Sequence, residues 1–523
     1  MTSGLHAKRK WWVFATAQLF VLRLSESVAR HSLEDVKLSL DILVPPDGKE
    51  ATLPREIHRI SVSMWLVFAL AIAFCNSSAA AQHAPSTAFI HVNVVPMDRE
   101  MVLRDQTVIV TDGKIVALGP TRSIKVPKGS QRIEGSHRYL MPGLADMHVH
   151  FIRPAIAEKM ASSAATYAEE NPRLALLFVA NGVTSVRNMW GHPAILALND
   201  EIQKGQLIGP TIYSVGPITD GDPPTFAGSR IVTTDEQARQ AVRDDKEAGY
   251  IGIKVYNRLS LPAYRSIVAA ATEQHLSVMG HVPRAVEVAG AVEARQKSLE
   301  HFSSFMRAAL PDRSAHTDLS LEEIFARADL NKLPTIAGAV AAAGSWTCPT
   351  VVQVQMDADP KAWEKERSLV PRGVVERYEG QMKVPPLGPA AEPFALALVR
   401  AFRAKGARLL LGTDAYKRNV MPGFSLLEEL RYFVKAGLSP YEAIKAGTSD
   451  AARFLNQENE FGTVAVGRRA DLILLSANPL DDVGNVTKRT GVMVRGRWLS
   501  EEKLQGLLHD FAGEQDGVSS HHP

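Results

Sequence analysis

Side chains that could bind a metal ion stand at the ends of five β-type segments of this 523-residue chain. In the first segment Asp146, His148 and His150 alternate with apolar residues, so they share one face of a strand. The later segments end in Lys254, His281, His301 and Asp414. Imidazole and carboxylate ligands suit Zn²⁺, with Mn²⁺, Fe²⁺ and Co²⁺ as alternatives. One shared metal centre explains these five ends better than five separate structural roles.

Lys254 requires an explanation because it sits between apolar residues in its segment. A buried ammonium group must lose its charge, find an anion or be chemically modified. Three further residues are candidate substrate contacts. Tyr256 shares the face of Lys254, and Arg230 and His192 lie in segments that should follow strands.

Eight apolar β-type runs alternate with helical patterns in the middle of the chain. They lie at 139–150, 182–189, 211–218, 250–256, 276–282, 298–302, 346–351 and 407–414. This alternation predicts an α/β fold, a (β/α)₈ TIM barrel whose metal site lies at the C-terminal ends of the strands. The charged, Pro-rich segment 355–400 is predicted to be a helical excursion over the barrel mouth.

Two β-rich stretches bracket the barrel and predict a small β-sandwich domain formed from both ends of the mature chain. The first contains the hairpin turn Asp112-Gly113, and the second runs over 461–498. The predicted domains are an N-terminal extension and signal peptide at 1–81, sandwich parts at 82–140 and 456–523, and the barrel at 141–455.

The composition is that of an ordinary globular protein, with 46% hydrophobic and 22% charged residues. Lys+Arg 59 against Asp+Glu 56 gives +3, which provides no electrostatic reason to expect a nucleic-acid partner. Two cysteines cannot build a disulfide framework or a cysteine metal site, so His, Asp, Glu or modified Lys must supply any ligands.

Residues 64–81 are typical of a secretory signal peptide. Basic residues precede an apolar run of about a dozen residues, and Ala79-Ala80-Ala81 follows it. The run is shorter than the ~20 residues of a membrane-spanning helix. Because the signal begins at residue 64, we expect Met64 to be the true start. Because the apolar run is short, we expect the mature protein to be secreted or periplasmic, without stable membrane insertion. An uncleaved membrane anchor is the alternative.

These motifs together resemble the amidohydrolase superfamily, within its imidazolonepropionase-like and Xaa-Pro dipeptidase (prolidase)-like members. The matching segments are MPGLADMHVH at 141–150, GVTSVR at 182–187, IKVY at 253–256, GHV at 280–282, LEH at 299–301 and GTD at 412–414. The resemblance covers about residues 88–498. Arg187-Asn188 stands where relatives often carry Arg-Asp, which alters the hydrogen bonds available beside the site.

The resemblance implies a metal-dependent hydrolase that cleaves an amide C–N bond in a small molecule, such as an Xaa-Pro-type dipeptide or an N-acyl amino acid. His148 and His150 would bind one of two divalent ions, and His281 and His301 the other. A CO₂-derived carbamate on Lys254 would bridge them. Asp414 would ligate the first ion and serve as general base and acid for attack by metal-activated hydroxide.

Other interpretations remain open at this stage. In a mononuclear deaminase or an imidazolonepropionase-type cyclic amide hydrolase, Lys254 stays unmodified and one metal ion is bound. Its ligands are then His148, His150, His281 and Asp414, and His301 orients water or substrate. A non-catalytic scaffold is a further alternative, against which the intact ligand set argues. A homo-oligomer is compatible with the sequence.

Overall fold

The computed structural model describes residues 86–151, 164–311, 319–355, 364–370, 386–416 and 420–518. The predicted signal peptide and the extension before it lie outside these residues, as do positions 356–363 and 371–385 of the predicted excursion. The domain boundaries therefore stay predictions. Among the described helices, none has the length and apolar character needed to cross a membrane.

The described residues form eighteen strands. In chain order these are β1 (Thr87–Val94), β2 (Leu103–Thr111), β3 (Lys114–Pro120), β4 (Gln131–Glu134), β5 (Tyr139–Pro142), β6 (Leu144–Val149), β7 (Val183–Asn188), β8 (Thr211–Ser214), β9 (Ile218–Asp220), β10 (Arg230–Ile231), β11 (Gly252–Val255), β12 (Ser277–Gly280), β13 (Ser298–Glu300), β14 (Trp346–Cys348), β15 (Arg408–Leu409), β16 (Leu472–Leu475), β17 (Arg489–Val494) and β18 (Arg497–Ser500).

Thirteen α-helices lie in the same described ranges. They are α1 (Ala164–Ala180), α2 (Pro193–Gln203), α3 (Asp235–Glu247), α4 (Leu261–Glu273), α5 (Glu287–Glu293), α6 (Leu321–Arg327), α7 (Leu333–Ala343), α8 (Glu364–Arg367), α9 (Ala391–Lys405), α10 (Ser425–Lys435), α11 (Pro440–Ala446), α12 (Ser449–Leu455) and α13 (Glu501–Val518). Helix α3 shows why they start where they do. Thr234 and Gln237 form a reciprocal capping box at its first turn, and Ala238, Ala241 and Val242 are its buried face.

Strands from both ends of the described chain build one mixed sheet, in the order β18-β17-β16-β5-β1-β2-β3, with β4 beside β1. The predicted hairpin turn is present between β2 and β3. Asp112 and Gly113 both have positive φ, at 49° and 76°, as a two-residue hairpin loop requires. The early and late stretches meet where β5 pairs antiparallel with β16. The described strands thus form one sheet, whereas the predicted sandwich needs two.

Parallel strands and helices alternate through the middle of the chain, as the sequence predicts, and each of the eight predicted runs contains a strand. The strands form a three-stranded sheet, β6-β7-β8, and a seven-stranded sheet, β10-β9-β11-β12-β13-β14-β15, rather than one continuous ladder. Backbone hydrogen bonds link the two sheets. Ile251 N donates to Ser214 O at 2.9 Å on one side, and Met147 N to Leu411 O at 2.9 Å on the other.

The contact between the first and last barrel strands is tight at Gly412. A Cβ atom there would lie 2.5 Å from Cys348 Sγ and 2.8 Å from the His148 backbone nitrogen. Real Cβ atoms do not approach other heavy atoms so closely, and buried backbone cannot give way cheaply. Glycine at 412 therefore lets the chain that follows β15 lie against β6.

We expect Gly412→Ala to lower the free energy of unfolding by about 1–3 kcal/mol through overpacking. Gly338→Ala is the matched control, because Gly338 is inside α7 and a Cβ atom there meets nothing within 4 Å. Alanine should stabilise that helix by roughly 0.5–1 kcal/mol. Urea unfolding of both variants provides the measurement. Equal midpoints for Gly412→Ala and the unsubstituted protein would contradict the packing argument.

Candidate metal centre

The carboxyl ends of the first and last barrel strands bring two histidines and an aspartate together. His148 and His150 come from the end of β6, and Asp414 follows β15. Asp414 Oδ1 lies 2.8 Å from His150 Nε2 and 3.5 Å from His148 Nε2. The backbone N–H of Asp414 also donates to His148 O at 2.6 Å, which fixes the two strand ends against each other.

Two further histidines extend this group across the neighbouring strand ends. His301 directly follows β13, and its Nδ1 lies 3.7 Å from Asp414 Oδ2. Its ring centroid is 4.5 Å from that of His148 and 4.6 Å from that of His281, which follows β12. His148, His301 and Asp414 each offer a ligand atom within 4.8 Å of the others.

Backbone strain is present at two of these positions. His301 has φ of 66° and Asp414 has φ of 68°, a region that residues with a Cβ atom occupy rarely. Such strain persists only where the surrounding structure enforces it, and it is concentrated at functional sites. The strained backbone therefore supports a functional role for the segments that carry these two side chains.

Lys254 is buried beside this group, with 1% of its surface exposed. Its ammonium nitrogen lies 5.8 Å from the centre of the Tyr256 ring. Burial, and next the positive charge of Lys254, hold the pKa of His148 well below its ordinary 6.5. His148 is therefore neutral near pH 7, which is the protonation state that binds metal ions.

The residues fit a divalent cation, and His148 shows this most directly. Its Nδ1 lies 2.9 Å from Glu300 Oε2, and a carboxylate can only accept, so Nδ1 carries the proton. Nε2 then keeps its lone pair. That atom is fully buried and makes no hydrogen bond. A histidine whose other nitrogen donates to a carboxylate is the usual arrangement of a metal ligand.

Glu300 is itself held by a buried arginine. Arg187 Nη2 donates to both carboxylate oxygens, at 2.9 and 2.8 Å, and Ser298 Oγ donates to one of them at 2.5 Å. Arg187 Nε also donates to Met147 O, within strand β6, at 2.6 Å. Arg187 and Glu300 are completely buried. Their pairing neutralises two charges in the interior and orients His148.

Asp146, two residues before His148 in β6, joins this strand to the chain that follows β15. Its carboxylate accepts hydrogen bonds from the Thr413 N–H at 3.0 Å, the Thr413 hydroxyl at 2.6 Å and the His148 N–H at 3.2 Å. Burial raises the pKa of Asp146 to about 7 despite these donors. These bonds fix the backbone on either side of the candidate ligands.

The 3₁₀ turn Val351–Val354, which follows β14, adds a polar side chain to the group. Gln353 Nε2 donates to Asp414 Oδ2 at 2.8 Å and lies 3.0 Å from His301 Nδ1. The turn is anchored by Glu429 of α10, whose carboxylate accepts from the Val351 and Val352 N–H groups at 3.0 and 2.7 Å. Burial raises the pKa of Glu429 to about 8.

Comparison with known proteins assigns the family. The model of the amidohydrolase family matches residues 139–499. The chain belongs to this family. It is 25% identical over 448 residues to the ochratoxinase of Aspergillus niger, and the alignment covers 75% of this chain and 81% of the relative. Membership of the amidohydrolase family suggests a hydrolase that acts on C–N bonds and implies a TIM-barrel-like α/β fold.

Solved structures agree with this assignment at the level of the fold. A Xaa-Pro dipeptidase with bound methionine in its active site superimposes with a TM-score of 0.59 at 20% identity, over 79% of this chain and all of the other. A bottromycin amidohydrolase gives 0.62 at 23% identity, over 83% of this chain and 92% of the other. The predicted resemblance to prolidase-like amidohydrolases is confirmed.

The three candidate substrate contacts of this amidohydrolase have different surroundings. Tyr256 packs its ring 3.9 Å from that of His281, and burial, then Asp414, raises its pKa well above 10, so the phenol keeps its proton. Arg230 pairs with Asp245 of α3 at 2.8 Å, and His192 caps α2. The role of Arg230 and His192 as substrate contacts stays a prediction.

The sequence motifs contain Arg187 and Glu300, but motif spacing assigns neither of them a role in supporting the ligands. Glu300 shares a strand face with Ser298, and Arg187 lies in the buried strand β7, so burial of charge was the available signal. Gln353 carries no such signal. Asn188 Nδ2 donates to Trp190 O at 2.8 Å and to Ser214 Oγ at 2.9 Å. An aspartate could not donate either bond.

Glu300→Gln should weaken metal binding by about 10–100-fold, because the amide cannot hold His148 as the carboxylate does and leaves Arg187 without its anion. Chelator competition on the purified protein measures this affinity. Glu273→Gln is the control, since Glu273 forms an exposed ion pair with Arg239. Equal metal affinity in both variants would show that Glu300 does not orient a ligand.

Glu429 should make stability depend on pH. Its folded pKa of about 8 exceeds its ordinary 4.5, so the folded protein keeps a proton that the unfolded chain releases. The stabilising contribution of protonated Glu429 is therefore fully present below pH 4.5 and is lost as pH rises towards 8, by on the order of 4 kcal/mol. Glu429→Gln should remove this slope in urea unfolding measured at several pH values. Parallel pH profiles for variant and parent would contradict it.

Proposed function

We propose that this amidohydrolase hydrolyses the amide C–N bond of N-acyl amino acids or Xaa-Pro-type dipeptides in a metal-dependent reaction. The observation that carries the proposal is the convergence of imidazole and carboxylate groups around the buried Nε2 of His148, which makes no hydrogen bond. A ligand set of this kind suits Zn²⁺, with Mn²⁺, Fe²⁺ and Co²⁺ as alternatives.

Two divalent ions account for all six candidate ligands. His148, His150 and Asp414 would hold one ion. The other would be held by His281 and His301, with Lys254 bridging the two as its CO₂-derived carbamate. Burial of Lys254 supports this modification, because a carbamate converts a costly buried cation into an anion that two cations stabilise. Bound metal would polarise the amide carbonyl and lower the pKa of water.

Hydrogen bonds to the histidines define which nitrogen can face a metal. Asn257 Oδ1 lies 2.9 Å from His281 Nδ1, and an amide oxygen can only accept. His281 Nδ1 is therefore the protonated nitrogen, and Nε2 keeps a lone pair. His281 and His148 thus share the same tautomer, each set by a neighbouring oxygen.

Asp414 is the group that we assign to proton transfer. Its two oxygens face different neighbours, His150 Nε2 at 2.8 Å and Gln353 Nε2 at 2.8 Å. The carboxylate is thus held at the centre of the histidine group rather than turned towards solvent, with 1% of its surface exposed. It can accept a proton from water and return it to the leaving nitrogen as the C–N bond breaks.

Two arginines near the carboxyl ends of neighbouring strands support a substrate with a free carboxylate. Arg284 lies beyond β12, and Arg307 lies beyond β13 on the 3₁₀ turn Arg307–Ala309. Burial, and then the positive charge of Arg284, lowers the pKa of Arg307. Guanidinium groups match carboxylates geometrically, so arginines after two neighbouring strands are suitable residues to bind a substrate carboxylate.

The proposal is tested on the purified, metal-reconstituted protein with a library of N-acyl amino acids and Xaa-Pro dipeptides. We expect two equivalents of metal by elemental analysis and hydrolysis of members of the library. Asp414→Asn should reduce kcat by about 10²–10⁴-fold. Arg307→Met should raise KM for a carboxylate substrate and leave the matching carboxamide unchanged.

Two results would redirect the proposal. Full activity in Lys254→Met with one equivalent of metal would support the mononuclear, deaminase-type site. No hydrolysis anywhere in the library by protein that holds its full metal content would refute amide hydrolysis of these substrates. Glu273→Gln again serves as the surface control and should keep the parent activity.

A further inference from the structure

An unbroken arc of aromatic rings runs from one edge of the histidine group to the other. Trp190 packs edge-on against His150, with centroids 6.5 Å apart, and tilts against Phe226 at 5.5 Å. Phe226 in turn contacts Tyr256 at 5.6 Å, and Tyr256 contacts His281 at 3.9 Å. The three carbon-rich rings therefore join the outer imidazoles of the candidate metal centre.

The arc lies on the functional side of the barrel-like fold. Trp190 follows β7, Tyr256 follows β11, and Phe226 lies on the loop between β9 and β10. The carboxyl ends of these parallel strands are the ends that carry the histidines. Trp190 and Phe226 are partly exposed, whereas Tyr256 is buried. Two of the three rings thus present apolar surface next to the reacting centre.

The loop that carries Phe226 is held in place by a buried carboxylate. Asp220, at the end of β9, is fully buried. It accepts hydrogen bonds from the backbone N–H groups of Gly221 at 3.0 Å, Thr225 at 2.7 Å and Arg258 at 2.6 Å. These three bonds fix the loop to the strand below it and to the chain after β11. Phe226 is therefore positioned rather than free to fold away.

We propose that Trp190 and Phe226 select substrates whose acyl group is a planar aromatic ring. This inference rests on the proposed function and specifies its substrate class. A ring stacked or set edge-on against Trp190 and Phe226 would continue the arc, with its carbonyl carbon directed at the histidine group. The substrate carboxylate would face the other way, towards Arg284 and Arg307.

The alternative explanation is that the arc only packs the loops. Packing would need no polar counterpart across the site. Here, the aromatic rings follow the second to fourth barrel strands, and the arginine pair follows the fifth and sixth. An N-aroyl amino acid has this same distribution, with an apolar planar group on one side of the amide and an anion on the other.

The test compares N-benzoylglycine with N-acetylglycine, which share the amide and the carboxylate and differ in the acyl group. We expect the metal-reconstituted protein to prefer the benzoyl substrate by at least about tenfold in kcat/KM. Trp190→Leu and Phe226→Leu should each remove most of this preference, by lowering kcat/KM for N-benzoylglycine more than kcat/KM for N-acetylglycine. A parent that shows no preference, or variants that keep it, would overturn the proposal.

Trp498→Leu is the matched control, because Trp498 is a partly exposed tryptophan that packs edge-on against Phe89 in the mixed sheet. It should keep the benzoyl preference. A loss in Trp498→Leu equal to that in Trp190→Leu would mean that general destabilisation, not the arc, caused the change, and would count against the proposal.

A binding measurement separates failure of this inference from failure of the proposed function. Metal-loaded Asp414→Asn, in which turnover is suppressed, is dialysed against each ligand at equilibrium. Tighter binding of N-benzoylglycine by at least about tenfold, lost when Trp190→Leu is added, supports the arc even if the parent hydrolyses neither compound. Equal binding of the two ligands refutes the arc even if both are hydrolysed.

Discussion

The hydrogen bond between His148 and Glu300 is the interaction on which the candidate metal centre depends. It fixes the proton on Nδ1 of the imidazole and so leaves the lone pair of Nε2 facing Asp414. A buried carboxylate is costly by itself, and it is stable here because Arg187 Nη2 donates to both of its oxygens in an ion pair. Arg187 also binds the backbone of β6, so the ion pair, the ligand and the strand that carries the ligand form one connected unit.

Other candidate ligands are positioned in a similar way, by oxygen or amide groups that follow other strands. Asn257 holds His281, Gln353 contacts both His301 and Asp414, and Asp146 ties β6 to Thr413. The proposed substrate specificity, in contrast, lies in loops. The aromatic arc and the arginine pair come from segments between strands and helices, where side chains can vary without disturbing the parallel sheets.

Much of this arrangement could be predicted from residue types and spacing. Alternation of apolar and ligand-type residues placed His148 and His150 together, and the eight β-type runs gave the α/β architecture. Prediction was weaker where a pattern fits several geometries. The two terminal stretches join in one sheet because β5 pairs with β16, which no local pattern specifies. Positions after strands suit several roles for Arg230 and His192, and the structure adds an ion pair with Asp245 for one and a helix cap for the other.

The sequence by itself determined the set of possible ligands, the strands that carry them and the family to which they point, because these depend on local period and on motif spacing. Only the tertiary structure decided which nitrogen of each histidine is available, that Glu300 and Arg187 support His148, and that Trp190, Phe226 and Tyr256 form one surface. These features arise from contacts between residues far apart in the chain, whose distances are set by how parallel strands and their loops pack.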